Sequence, residues 1–312
     1  MSEEFRAACV IGWPISHSRS PLIHNYWLKQ YGINGAYRRE AVPPDEFESF
    51  VTTLTEHGYV GANITLPHKA AALALSQPDA RAKAVGAANT LWLDNGALRS
   101  TNTDVDGFLS HLDAVCARWD RGLDGAIVLG AGGGARAVVF ALIERGAERI
   151  HLANRTFSRA EELRSLFGDV VNPVRWEEVS GLFGGTDLLV NTTTLGMTGQ
   201  PDLDLGVARL PDSAVVVDIV YTPLETTLLA RARARGLRTA DGLGMLLHQA
   251  VGGFERWFGV KPEVTDELRT LVEADLAPIT ETAEPKTAEV APKAEKPPRR
   301  REPKQSKKRD RE

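Results

Sequence analysis

The run Gly130-Ala131-Gly132-Gly133-Gly134-Ala135 has the spacing Gly-x-Gly-x-x-Gly/Ala, and it lies between an apolar stretch and a helix-forming one. That setting gives the spacing its meaning. The first glycine, Gly130, permits a tight turn, Gly132 lets backbone N–H groups approach a pyrophosphate, and the small Ala135 lets the helix pack closely on the strand. Gly133 and Gly134 add no side chain at the helix N-terminus, where free N–H groups and the positive dipole end favour an anion. A tight strand-to-helix connection without ligand uses the same glycines, so the next strand decides. NAD-binding folds place an acid near its tip to accept the ribose hydroxyls. Here the tip reads Asn154-Arg155-Thr156, followed by Arg159, with no acid. Two guanidiniums and a hydroxyl suit a 2′-phosphate, which Arg grips in bidentate fashion. Cations at a helix start oppose the dipole unless an anion lies between them. The pattern therefore predicts NADP as cofactor over NAD.

Three polar clusters occupy the first third of the chain, each at the end of a strand-like run. They are Ser16-His17-Ser18-Arg19-Ser20-Pro21, Asn63-Ile64-Thr65-Leu66-Pro67-His68-Lys69, and Asn89-Thr90 with Asn102-Thr103-Asp104. Open α/β sheets place ligands at strand ends of this kind. Taken singly, each also reads as an ordinary surface feature: a serine-rich turn capping a helix, a lysine after a proline, an Asn-Thr-Asp turn.

The elements that must position these groups alternate. Residues 8–11 read as a strand ending at Gly12, and Ser20-Pro21 as an N-cap followed by proline at the first helical position. A strand over 36–42, a helix over 45–57 and a strand over 60–65 follow. Residues 105–119 read as a linker helix. Beyond them a new unit begins with the strand over 125–130 and the helix over 136–145. Apolar strands over 149–153, 187–191 and 214–217 are separated by helices over 158–167 and 224–235, and helices over 242–257 and 265–275 end the pattern. Such alternation predicts βαβ units and a mainly parallel sheet in each of two α/β domains.

Length agrees, since 312 residues exceed what one core usually organises. With 43% hydrophobic and 25% charged residues the chain is of average globular composition. Cys9 and Cys116 are too far apart for a ligand-spaced pair, and none of the seven histidines stands in metal-ligand spacing, so no metal is expected. No secretory leader or membrane-length apolar run is present, which predicts a cytoplasmic protein without a membrane partner. The net charge of −4 is uneven. Residues 278–312 hold 11 of the 37 basic residues, 7 of the 41 acidic ones and 6 of the 17 prolines. That tail has too few large apolar side chains to offset the entropy of ordering and reads as disordered. Its nine basic residues between Lys296 and Arg311 could contact phosphates. Such tails are more often simply solvated, and no nucleic-acid partner is expected.

Taken together the motifs resemble the shikimate dehydrogenase family. Gly12-x-Pro14-x-x-x-Ser18-x-Ser20-Pro21, Asn63-x-Thr65-x-Pro67-x-Lys69, Ala88-Asn89-Thr90, Asn102-Thr103-Asp104, the glycine run, Asn154-Arg155-Thr156-x-x-Arg159 and Asp241-Gly242-Leu243-Gly244-Met245-Leu246 occur in that family's order. The resemblance covers residues 8–275. It implies reduction of 3-dehydroshikimate to shikimate with NADPH, on the route to aromatic amino acids. It further implies that Ser18 and Ser20 hold the substrate carboxylate, that Thr65, Asn89 and Gln249 bind ring hydroxyls, and that Lys69 and Asp104 are the catalytic pair. Which of the two transfers the proton stays open. Tyr221, Ile219 and Gly242 match positions beside substrate and nicotinamide. Residues 242–277 would return to complete a discontinuous substrate domain over 1–104, leaving 105–241 as a Rossmann-like NADP-binding domain.

The chain departs from the family pattern in two places: Ile219 stands where methionine is common, and Thr192-Thr193-Thr194 replaces a commoner Ala-Thr-Ser. An NAD-dependent quinate/shikimate dehydrogenase is the alternative within the family, and a regulatory or nucleic-acid-tethered protein the alternative outside it. Oligomeric state is left open, a homodimer included.

Overall fold

Runs such as Ala126–Leu129 and Val215–Asp218, buried at every residue, can only be strands covered on both faces, and the fold is built around two such sheets. A computed structural model describes residues 4–277. The tail read as disordered lies outside the described residues.

The first sheet holds β1 (Arg6–Gly12), β2 (Gly35–Ala41), β3 (Tyr59–Ile64), β4 (Gln77–Pro78), β5 (Thr90–Asp94) and β6 (Ala97–Thr101), in the order β2-β1-β3-β5-β6-β4. Strands β1, β2 and β3 run parallel, while β5 is antiparallel to both β3 and β6. The β5–β6 hairpin was not foreseen. Its signal is Asn95-Gly96, with φ of 50° and 79°, the two-residue turn whose twist matches that of the flanking strands. Between these strands lie α1 (Ser20–Gln30), α2 (Phe47–Thr52), α3 (Lys69–Ala74) and α4 (Ala80–Val85).

The second sheet holds β7 (Ala126–Leu129), β8 (Ile150–Ala153), β9 (Val171–Val174), β10 (Leu188–Asn191), β11 (Val215–Asp218) and β12 (Arg238–Ala240). Its order, β12-β11-β10-β7-β8-β9, is parallel throughout. That is the doubly wound arrangement, with the order reversing between β7 and β10. Helices α6 (Gly133–Glu144), α7 (Phe157–Phe167), α8 (Val179–Leu182) and α9 (Thr227–Ala234) belong to it. Two helices link the sheets. Helix α5 (Asp104–Val115) leads from the first to the second, and α10 (Gly242–Phe258) leads back, followed by α11 (Asp266–Leu276).

The return is anchored by apolar burial. Leu243, Leu247, Phe254 and Trp257 of α10 and Leu268 and Val272 of α11 share one core with Ala8, Val10, Ile23 and Trp27. Each such side chain contributes about 1.5–3 kcal/mol when fully buried. The Trp257 indole lies against Gly61, where a Cβ would overlap it, and its Nε1 donates to the Leu91 carbonyl at 2.9 Å. Helices α5 and α10 touch almost backbone to backbone, since a Cβ on Gly107 would sit 2.6 Å from the Gln249 Cβ.

Two local expectations are corrected. The helix expected over 45–57 is only Phe47–Thr52. The β-branched Thr52 and Thr53 bond their hydroxyls back to the Glu48 and Ser49 carbonyls, and the chain continues in turns to Gly58 at φ +79°. Ser20 does not cap α1: Arg19 occupies the cap position, and the Ser18 hydroxyl accepts the Ser20 N–H at 3.3 Å.

His24 of α1 is fully buried, stacked on Tyr37 at 4.0 Å between ring centroids and flanked by Phe254 and Trp257. Neither ring nitrogen reaches a hydrogen-bond partner. Burial lowers its pKa from 6.5 to about 3, with the nearby Asn63 side chain pulling weakly the other way. The folded state therefore binds this proton less well than the unfolded chain. The associated stability is complete above pH 6.5 and is lost as pH falls from there toward 3. In thermal melts between about pH 7 and pH 4 we expect His24→Phe to lose less Tm than the wild type; parallel losses would show that His24 does not drive the acid limb.

Candidate active site

Both sheets place polar residues at their topological switch points. In the first sheet the order reverses between β1 and β3, so the loops that leave their C-terminal ends, residues 13–19 and 65–68, open side by side. The Trp13 N–H donates to the Leu66 carbonyl at 3.1 Å, and a Cβ on Gly12 would lie 2.5 Å from the Thr65 Cγ2. In the second sheet the loops after β7 and β10 are the glycine run and Thr192-Thr193-Thr194.

Lys69 is the first residue of α3 and Asp104 the first of α5. Their side chains form an ion pair, Nζ to Oδ2 at 2.5 Å, with only 16% and 9% of the side-chain surfaces exposed. Removing two charges from water is costly, so the remaining carboxylate oxygen must be satisfied as well. Asn89 does this, donating from Nδ2 to Asp104 Oδ1 at 2.8 Å, while its own Oδ1 accepts the Thr103 N–H at 2.7 Å. Asn102 Oδ1 accepts the Asp104 N–H at 3.1 Å, and Gln249 Oε1 of α10 lies 3.4 Å from Asn89 Nδ2. One step back, Asn63 donates to the Thr90 hydroxyl at 3.1 Å and accepts from the Tyr37 hydroxyl at 2.6 Å. Lys69, Asp104, Asn89 and Gln249 thus share one hydrogen-bonded network. The roles of Asn63, Asn102 and Thr103 in it went unassigned in the sequence, although all three lie inside the quoted motifs.

Ser18 and Ser20 are buried beside one another, with the Ser18 hydroxyl donating to the Ser20 hydroxyl at 3.3 Å. Thr65 follows β3 directly, with its methyl group against Gly12. Tyr221 is half-buried, and its desolvation raises its pKa, while the Arg19 and Arg39 guanidiniums act in the opposite direction.

The glycine run comes directly against this network. Gly130 has φ +101°, a value closed to residues with a Cβ, and its N–H donates to the Ala153 carbonyl at 2.7 Å. Ala135 is fully buried against the sheet, and nothing lies within 4 Å of where a Gly132 Cβ would point. A Cβ on Gly133 would lie 3.3 Å from the Lys69 Cδ, and one on Gly134 2.9 Å from the Ile219 Cδ1. Gly242 packs its backbone against the Ile219 carbonyl. The loop bearing Ile219 hangs from Asp218, whose carboxylate accepts from Asn191 at 2.9 Å, the Val220 N–H at 3.0 Å and the Thr226 hydroxyl at 2.7 Å. Burial pushes Asp218 up to about 6 despite these bonds.

Arg155, Thr156 and Arg159 stand at the end of β8 and the start of α7, with both arginines exposed. Among the described residues neither guanidinium has an ion-pair partner. The Asn154 side chain donates to the Thr156 carbonyl at 2.8 Å and fixes the turn, while Thr156, at the cap position, spends no side-chain bond on the helix. The tip is built with free donors facing solvent beside the glycine turn, which fits a phosphate.

Among the described residues no helix is long and apolar enough to cross a membrane. A doubly wound sheet with an open glycine turn, set against a polar pair on a second α/β sheet, defines an α/β oxidoreductase with a Rossmann-like half. The comparisons with known proteins narrow this. The shikimate dehydrogenase substrate binding domain matches residues 10–91, shikimate / quinate 5-dehydrogenase residues 122–219, and the shikimate 5′-dehydrogenase C-terminal domain residues 242–266. The shikimate dehydrogenase (NADP(+)) of Rhodopseudomonas palustris strain TIE-1 is 63% identical over 278 residues, covering 89% of this chain and 100% of that protein. Among solved structures, the quinate dehydrogenase from Corynebacterium glutamicum in complex with NAD is 30% identical with a TM-score of 0.80, over 87% of this chain and 100% of that one. The shikimate 5-dehydrogenase from Thermus thermophilus in complex with NADP(H) and shikimate is 35% identical with a TM-score of 0.74, over 87% and 98%. The chain belongs to the shikimate dehydrogenase family.

Replacing Asn89 by Ala would leave the Thr103 N–H and one Asp104 oxygen buried without partners. We expect a loss of about 2–4 kcal/mol of unfolding free energy, read by urea denaturation; a loss below about 0.5 kcal/mol would mean that water substitutes freely.

Proposed function

We propose that the protein catalyses the reversible NADPH-dependent reduction of 3-dehydroshikimate to shikimate, and that Lys69 and Asp104 are its catalytic pair. The observation that carries this reading is the contact of the screened Lys69–Asp104 pair with the glycine run at Gly133. Membership of the family supplies the substrate.

In the proposed division of labour, residues 1–104 completed by 242–277 bind the substrate, and residues 105–241 bind NADP. NADPH supplies the hydride that the carbonyl carbon accepts. The remaining task of the protein is to orient the carbonyl and manage one proton. The Lys69 ammonium polarises the carbonyl and gives its proton to the oxygen as the carbon–oxygen π bond becomes an alkoxide; in the oxidation of shikimate, neutral Lys69 takes that proton back. Asp104 holds the ammonium in place and accepts a hydrogen bond from a ring hydroxyl. Thr65, Asn89 and Gln249 serve the other ring hydroxyls, Ser18 and Ser20 the carboxylate, and Tyr221 lies beside the substrate. Ile219 and Gly242 border the nicotinamide. On the cofactor side, Gly130, Gly132, Gly133, Gly134 and Ala135 admit the pyrophosphate, and Asn154, Arg155, Thr156 and Arg159 the 2′-phosphate.

The likeness to a quinate dehydrogenase in complex with NAD gives the alternative its footing. The free guanidiniums and the lack of an acid at the β8 tip favour NADP. Activity with each cofactor on shikimate and on quinate separates the two. We place the protein in the cytoplasm, in keeping with its two free, buried cysteines.

Lys69→Ala should lower kcat by roughly 10² to 10⁴ with a smaller change in KM, and Asp104→Asn should cost less. Steady-state kinetics on folded variants check this, and turnover retained without Lys69 would remove it from the catalytic pair. Arg155→Ala should raise KM for NADPH roughly tenfold to a hundredfold, the worth of a charge-assisted hydrogen bond. KM for NADH should stay nearly the same; an equal loss with both cofactors would rule out the phosphate clamp.

A further inference from the structure

Arg39, near the end of β2, belongs to none of the motifs above, yet its guanidinium reaches across to the loop after β1. There Nε and Nη2 donate to the Ser18 carbonyl at 2.9 and 2.6 Å. This carbonyl lies in the short stretch from which the Ser18 and Ser20 hydroxyls hang. The other side of the loop is held by the Ser18 N–H, which donates to the Ile15 carbonyl at 3.0 Å.

The two arginines beside this loop differ in charge balance. Arg19 is paired, its Nε lying 2.5 Å from Asp275 Oδ2. Arg39 is exposed and bonds only to a neutral carbonyl; among the described residues no carboxylate pairs with it, Glu267 and Asp275 being the acids across the groove that it lines. Its hold on the Ser18 carbonyl places Arg39 beside the serine pair proposed to hold the substrate carboxylate. The serine hydroxyls already bond a carboxylate more strongly than its neutral ester, but as neutral donors they do not balance its charge. A nearby unpaired cation favours the anion alone.

We propose that Arg39 is a positioning residue that fixes the Ser18–Ser20 loop and supplies the charge that makes this pocket select an anionic carboxylate over its neutral ester. The proposal rests on the reading of the site given above.

The test compares wild type, Arg39→Gln and Arg39→Lys in the oxidation of shikimate and of its methyl ester with NADP⁺. Arg39→Gln should raise KM for shikimate about tenfold, while KM for the ester, which shares the loop but not the charge, rises less than about threefold and KM for NADP⁺ moves less than about twofold. Arg39→Lys, which keeps the charge without the bidentate grip, should restore most of the preference for acid over ester. An equal rise for acid and ester, or no rise for the acid, would overturn the proposal, the former because it would show a merely structural prop. Should Arg39→Gln fail to fold, Arg39→Lys decides: a preference for the acid kept supports the proposal, and one abolished overturns it. Wild-type enzyme inactive on shikimate would instead overturn the functional reading, and this proposal with it.

Discussion

The Lys69–Asp104 ion pair is the constraint that orders the rest of the site. Two opposite charges, mostly shielded from water at 2.5 Å, are tolerable only when the remaining polar atoms around them are partnered. That demand explains why Asn89, Asn102, Thr103 and Gln249 converge from the residue before β5, the turn after β6 and the middle of α10. It also explains the close approach of α5 and α10 at Gly107, since any side chain there would push Gln249 off the network. Removing one charge would leave the other stranded, so both residues are bound to structure as well as to chemistry.

Strand order does the larger-scale positioning. The first sheet reverses its strand order between β1 and β3 and the second between β7 and β10, and in each case the loops from two adjacent strand ends splay apart there. The β1 and β3 loops carry the serine pair and Thr65, and the β7 loop carries the glycine run. The linking helices α5 and α10 then bring the two openings together, with Gly133 against the Lys69 side chain. Chemistry that needs two bound partners in contact is served by this arrangement because neither sheet has to supply both sites.

Much of this was legible in the sequence, for identifiable reasons. A strand buried on both faces reads as a continuous apolar run, so the strands of the second sheet stood out, as did the glycine turn between one of them and its helix. The polar clusters were visible because residues near in sequence act together. What could not be read were contacts between distant segments of the chain. Arg39 reaches a carbonyl 21 residues away and leaves no local pattern. The Asn89 network spans 160 residues to Gln249. Other misses were local: Asn95-Gly96 is a strong hairpin signal that went unread, and Ser20-Pro21 has the form of a helix cap although Ser18 supplies the bond.

The central claim is that the substrate sits between the serine pair and the Lys69–Asp104 pair, facing the glycine run. A crystal structure of the dead-end complex with NADPH and shikimate tests it most directly. The account predicts the shikimate carboxylate on the Ser18 and Ser20 hydroxyls and the oxidisable hydroxyl within hydrogen-bond reach, about 2.6–3.2 Å, of Lys69 Nζ. Shikimate bound with that hydroxyl turned away from Lys69, or bound outside the space between the glycine run and the serine pair, would contradict it.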